Sequence, residues 1–110
     1  MRRLKQGDIV RYDDDYFLVL SNNWVNKNSR KSILIPAYYI TSPPTERRRT
    51  HMVVTSEKRA KYLLHCEDIT TAEDYEDFYK YSGSVPESEM DRVRKRMEWM
   101  FGGQNNAKSR

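Results

Sequence analysis

Three consecutive aspartates, Asp13-Asp14-Asp15, separate two β-forming runs, Gly7-Asp8-Ile9-Val10-Arg11-Tyr12 and Tyr16-Phe17-Leu18-Val19-Leu20. A link that short cannot hold a helix or a crossover, so the two runs must reverse on each other as a tight antiparallel hairpin. Later segments repeat the theme. Ile33-Leu34-Ile35-Pro36-Ala37-Tyr38-Tyr39-Ile40 is the strongest apolar run, and Pro36 within it removes one ladder donor, which predicts an edge, a bulge or a bend at that point. Strands are also expected over Thr50–Thr55 and Tyr62–Cys66, joined by a helical turn at Ser56–Ala60, and over Phe78–Tyr81 before Gly83. The asparagine-rich stretch Ser21–Ser29 reads as a polar loop. Thr70-Thr71-Ala72-Glu73 has the spacing of a capping box and predicts a short helix or turn.

The chain closes differently. Pro86 suits the first position of a helix, Met90, Val93, Met97, Met100 and Phe101 recur on one helical face, and Gly102-Gly103 stops the element. The predicted architecture is mainly β: a small antiparallel barrel closed by a C-terminal helix, forming a single domain over residues 1–103, with a polar tail from Gln104 to Arg110.

Composition narrows the function classes. With 110 residues, 37% hydrophobic and 33% charged, the core must be concentrated in those few β runs and the one helix face. No stretch approaches the roughly 20 apolar residues of a membrane span, and the opening MRRLKQGD passes from arginines to polar residues without an apolar region. The expected compartment is the cytoplasm, with no membrane partner. Cys66 is the one cysteine, which excludes a disulfide framework and reads as a small buried hydrophobe. The two histidines, His51 and His65, stand far apart in sequence, so neither a metal site nor a cofactor is expected. The adjacent carboxylates of Asp13-Asp14-Asp15 are turn chemistry rather than an ion site.

The net charge of +4 matters less than its distribution. Arg47, Arg48, Arg49, Lys58, Arg59 and Lys61 form one basic stretch and Arg92, Arg94, Lys95 and Arg96 another, separated by the acidic run Glu67 to Asp77. The arginine triplet follows Tyr38 and Tyr39. Cations beside aromatic platforms suit single-stranded RNA, although a basic run is as often a solvated loop and strand tyrosines as often fill a core. His51, at the start of a strand beside the arginines, is a candidate acid or base; His65, inside an apolar strand, reads as a strand-face or core histidine.

Taken in order, the pieces Gly7-Asp8-Ile9-Val10, Leu18-Val19-Leu20-Ser21-Asn22, Ile33-Leu34-Ile35-Pro36, Ile40-Thr41-Ser42, Glu67-Asp68-Ile69-Thr70 and Val85-Pro86-Glu87-Ser88-Glu89-Met90 resemble the MazF/PemK toxins, SH3-barrel-like endoribonucleases of toxin–antitoxin systems. The resemblance spans residues 7 to 102. It implies metal-independent cleavage of single-stranded RNA, an acidic antitoxin protein as partner and a homodimer. From the resemblance comes Thr41, and the chemistry of such cleavage, which needs an acid or base and a cation, adds His51 and Arg48 as catalytic, with Tyr38, Tyr39, Arg47 and Arg49 holding RNA. The departures are specific. The family's long first loop ends in an Arg-Pro pair whose arginine stabilises the phosphate; here Asp15-Tyr16 align with that pair, and a carboxylate there repels a phosphate. The threonine position is matched by type at Thr41 but by counting from Pro36 at Tyr38, and Asp68 and Thr70 replace the family's glutamine and arginine. Two function classes therefore stay open: a ribonuclease with a rearranged site, and a non-catalytic binding module on the same fold.

Overall fold

The computed structural model describes residues 4–42, 48–73 and 79–102. Within them the elements run β1 (Asp8–Tyr12), β2 (Asp15–Val19), α1 (Asn23–Asn28), β3 (Lys31–Ile40), β4 (His51–Thr55), β5 (Lys61–His65), β6 (Thr70–Glu73), β7 (Lys80–Ser84) and α2 (Glu87–Phe101). All strand pairs are antiparallel, in the order β4-β5-β3-β2-β1-β7, with β6 also on β3.

The expected hairpin forms with a still shorter link, because Asp15 already pairs with Tyr12 and only Asp13 and Asp14 turn the chain. Asp13 takes a positive φ of 54°, a conformation that aspartate tolerates better than most residues. Strand β3 is the spine of the sheet. Its residues Lys31–Leu34 pair with β6 and Ala37–Ile40 with β5, while Leu34–Ala37 pair with β2. Pro36 falls in the interval between the β6 and β5 ladders. Leu20 N–H bonds to Ile33 O on the β2 side, so by alternation the nitrogen of Pro36 faces the opposite edge, at the gap, where no ladder bond is lost.

Two local expectations are corrected. Thr70–Glu73 is strand, not helix: pairing of Leu34 with Thr70 and Lys31 with Glu73 outweighs the capping-box spacing. The polar loop contains α1, started by Asn22, whose side chain accepts from Val25 N–H at 2.9 Å, and anchored by buried Asn26, which bonds to Ser21. The expected antiparallel sheet with its C-terminal helix is present, and its barrel is a loose one, open between β4 and β7 at the two ends of the strand order.

A single backbone bond, Glu57 N–H to Ser84 O at 2.8 Å, spans from the β4–β5 turn to β7. The open edge of β4 is instead covered by α2. Glu89 accepts from Thr55 N–H at 2.8 Å, Arg92 donates to Val53 O at 3.1 Å and Arg96 to His51 O at 2.9 Å. These three helical residues satisfy alternate groups of the strand edge and deny it to another strand.

The main core, Ile9, Leu18, Ile35, Met52, Val54, Leu64, Cys66, Val85, Met90 and Val93 among its members, lies between the sheet and α2. Burial of Met90 and Val93 stabilises the helix docking by roughly 1.5–3 kcal/mol each. Met97 and Met100 pack at the margin of this core, but Phe101 is 70% exposed, so the apolar helix face is shorter than its spacing predicts. Pro86 is the N-cap, and Gly102 ends the helix with its N–H on Glu98 O. A smaller cluster of Leu4, Val10, Val19, Leu34 and Ala72 fills the other face. Residues 104–110, expected to form the tail, lie outside the described residues.

Candidate functional site

The alternation that buries Met52, Val54, Tyr62 and Leu64 leaves the odd-numbered residues of β4 and β5 on the outer face. His51 and His65 are direct cross-strand partners there. Their imidazoles stack with centroids 3.9 Å apart and planes 9° from parallel, and Tyr38 leans on His65 at 4.4 Å. His51 Nε2 lies 3.1 Å from Glu67 Oε2, and His65 Nδ1 lies 3.7 Å from Asp68 Oδ2. Burial acts to raise the Glu67 pKa, but hydrogen bonds from its own backbone, from Thr50 and from His51, with the charge of His51, outweigh it and hold the carboxyl below its usual range. Neither histidine is sealed off: the His51 side chain is 12% exposed and that of His65 24%.

A second feature adjoins this face. Arg48 and Arg49 come forward into β4, with His51 N–H bonded to Arg48 O, and they meet α2 across a cavity of about 560 Å³ lined also by Arg92, Lys95, Arg96 and Trp99. The Arg49 guanidinium sits 4.4 Å over the Trp99 ring, where the ring quadrupole favours a cation. The two basic stretches of the sequence thus meet in space, which gives the cavity five cationic side chains.

The sequence-predicted residues divide between these features. His51 and Tyr38 belong to the histidine cluster, Arg48 and Arg49 to the basic cavity, and Thr41 is exposed just beyond the end of β3. Tyr39 leans the other way, toward Tyr16 and Tyr62, and with Tyr38 lines a groove of about 420 Å³ that includes Asp14 and Asp15. Arg47 lies outside the described residues. Sequence reasoning missed the partnership of His65 and Glu67 with His51. His51, His65 and Glu67 bring one ligand-type atom each within 4.8 Å of one another, contrary to the premise that the histidines stand apart. The signal was available, because the two histidines are equidistant from Lys58 in a hairpin whose turn centres there. Trp99, off the apolar stripe of α2, suggests an interface by its position in the sequence, but its place over Arg49 follows only from the packing of the helix. Cys66 is fully buried on the core side, and burial, with the Glu67 charge, pushes its thiol up to about 11 against the opposing pull of Arg96.

Among the described residues no helix is long and apolar enough to cross a membrane. No protein-family model matches the sequence, and no curated protein matches it. Solved structures do. A chain of the MazE-MazF complex (Form-III) from Deinococcus radiodurans aligns over 92% of this chain and 98% of its own length with a TM-score of 0.72 at 14% identity. An endoribonuclease from a mycobacterial species aligns over 93% and 94% with a TM-score of 0.74 at 16% identity. A mycobacterial endoribonuclease in complex with its cognate antitoxin aligns over 93% and 96%, with a TM-score of 0.65 at 16% identity. At these TM-scores, over nearly the whole of each chain, the chain has the fold of the MazF/PemK-type toxins.

Proposed function

We propose that this protein is a toxin-like endoribonuclease of a type II toxin–antitoxin system that cleaves single-stranded RNA without a metal. The observation that carries the reading is the stacked pair of His51 and His65 beside Tyr38 and next to a cationic cavity. Cleavage by the 2′-hydroxyl needs a base to take its proton, an acid to protonate the leaving 5′-oxygen and a cation for the charge on phosphorus. His51 and His65 supply the proton acceptor and donor, and Arg48 and Arg49 supply the charge. Tyr38 offers a ring on which a base can stack, with Tyr39 beside it, and Thr41 adds a hydroxyl at the end of the same strand. The acidic antitoxin would compete for the Arg48–Arg49 cavity, because both ligands need the same cations. The working form is a cytoplasmic homodimer, with exposed Trp99 and Phe101 at its contact. The test is an end-labelled single-stranded RNA incubated with the protein in EDTA: cleavage above a no-protein control supports the reading, and intact RNA at every pH across histidine titration overturns it.

A second reading, a binding module without catalysis, is favoured by one observation. The groove next to Tyr38 and Tyr39 is lined by Asp14 and Asp15 and by no lysine or arginine, so the side where the resemblance expects a phosphate-binding arginine is acidic. RNA retention without cleavage in the same assay selects this reading.

A further inference from the structure

The geometry points to a zinc-type divalent cation site formed by His51, His65 and Glu67, a site distinct in chemistry from anything the ribonuclease reading requires. Two imidazoles and a carboxylate are the donor set of open zinc sites, in which three protein ligands leave the fourth position to water. Ligand atoms about 2.0–2.1 Å from a tetrahedral ion lie about 3.3 Å from one another. His51 Nε2 and Glu67 Oε2 already stand 3.1 Å apart, and the full set of three lies within 4.8 Å. Closing that difference takes rotation of side chains on the outer face, none of them part of the buried core, and it opens the His51–His65 stack, because parallel rings cannot aim both lone pairs at one ion. Strand register fixes the pair: His51 is opposite His65, and Glu67 follows where the chain leaves β5. Asp68 Oδ2 lies 3.7 Å from His65 Nδ1, and a small side-chain rotation would bring it into hydrogen-bond range and leave Nε2 for the ion, the arrangement by which carboxylates orient metal-bound histidines. The fractional exposure of all three ligands leaves an entry path for a hydrated ion.

Metal binding itself rests on no activity. Its consequence does rest on the ribonuclease reading: a cation on these nitrogens removes the lone pairs needed for proton transfer, so zinc would switch cleavage off.

Zinc competition against a chromophoric chelator, with cobalt absorption reporting coordination number, tests the site on the full chain. One ion per chain is expected, with a tetrahedral cobalt spectrum lacking a thiolate band. His51→Gln, His65→Gln and Glu67→Gln should each weaken binding at least about tenfold, and Asp68→Asn by about 10–100-fold, while Cys66→Ala binds like the parent protein. Zinc should also raise the melting temperature of the parent protein and not of the folded Glu67→Gln variant, a surface change that spares the core. Unchanged affinity in Glu67→Gln together with His65→Gln, dependence on Cys66, or several weak ions in place of one overturns the proposal. If zinc binds as described and RNA stays intact in EDTA, the site stands and the ribonuclease reading falls.

Discussion

Glu89, in the first turn of α2, accepts a hydrogen bond from the backbone N–H of Thr55 at 2.8 Å and an ion pair from Arg92 at 3.0 Å. One carboxylate thereby ties the last helix to the last residue of the edge strand β4 and orients the arginine that bonds the next outward carbonyl, Val53 O. A strand edge that would otherwise template pairing with another chain is closed by side chains from a helix.

Removing that carboxylate leaves a half-buried N–H without its acceptor. Glu89→Ala is expected to destabilise the fold by about 1–3 kcal/mol in urea denaturation and to promote aggregation through the exposed edge. Glu89→Gln keeps an acceptor oxygen and should lose under half as much. Equal losses in the two variants would show that the Thr55 contact does not carry the effect.

Gly7 holds a φ of +91°, donates to Val19 O and accepts from Val85 N–H, both at 2.9 Å, where the chain enters β1 beside the start of α2. A Cβ there would stand 3.4 Å from Val85 O and 3.6 Å from Met90 Cγ. Those are ordinary contact distances, so the cost of Gly7→Ala lies in a backbone conformation L-residues rarely adopt and should be about 1–3 kcal/mol, visible as a lowered melting temperature. Asp8, buried next to it, accepts from Lys5 N–H at 3.0 Å, so the Gly-Asp pair that opens the sequence resemblance has a structural explanation of its own.

What the sequence made legible follows from the range of the forces involved. The β1–β2 hairpin, the β4–β5 pair and the α2 start and stop are set by neighbours within a few residues, and alternation or helical spacing displays them directly. β6 was not legible, because the local preference of Thr70-Thr71-Ala72-Glu73 is overruled by β3, distant in sequence. The candidate site was legible by halves. His51, Tyr38, Arg48 and Arg49 were chosen by residue type, but which of them face each other depends on register and on helix docking, and these are long-range outcomes. The same dependence explains why the expected barrel is only a loose one: whether a curled sheet closes is decided at its edge, here taken by Glu89, Arg92 and Arg96.

Alkaline pH should weaken the fold through Cys66. Burial raises the thiol from 9.0 to about 11, so the folded state favours the protonated form. For a raised folded-state pKa, the contribution is fully present below the unfolded value and is lost as pH rises through the folded value. Stability should therefore fall between about pH 9 and 11, by at most about 3 kcal/mol, and the slope should flatten in Cys66→Ala. A thiol reagent at neutral pH should label the native protein far more slowly than the urea-unfolded chain. Rapid native labelling would contradict the buried, protonated thiol.

The exposed end of α2 bears on assembly. Phe101 is 70% exposed and Trp99 39%, adjoining Lys95 and Glu98 on one surface. Their burial between two copies would remove apolar area that a monomer leaves in water. Light scattering of the parent protein should report a dimer, and Phe101→Ser should shift it toward monomer with little change in the monomer's melting temperature. A parent protein that stays monomeric at high concentration would end the dimer proposal.

Catalysis, if it proceeds as proposed, must find its cation away from the β1–β2 turn, where Asp13 and Asp14 are followed by Asp15 at the start of β2 and oppose charge on a phosphate. A cationic set adjoins the histidine pair just before β4, where Arg48 is joined to His51 by a backbone hydrogen bond and Arg49 is steadied by Trp99. Arg48 is exposed and is not a member of the core, so its removal should change rate more than fold. Arg48→Ala and His51→Ala are each expected to lower single-stranded RNA cleavage in EDTA on the order of a hundredfold, the usual loss for one preorganised stabilising group. Cys66→Ala should leave the rate near the parent value, because its thiol faces the core. Trp99→Ala provides the finer discrimination. If Trp99 positions Arg49, that variant should weaken RNA binding without altering the pH profile, whereas His51→Ala should alter the profile itself. An Arg48→Ala protein that cleaves at the parent rate would place the phosphate elsewhere and leave the basic cavity to the acidic partner alone.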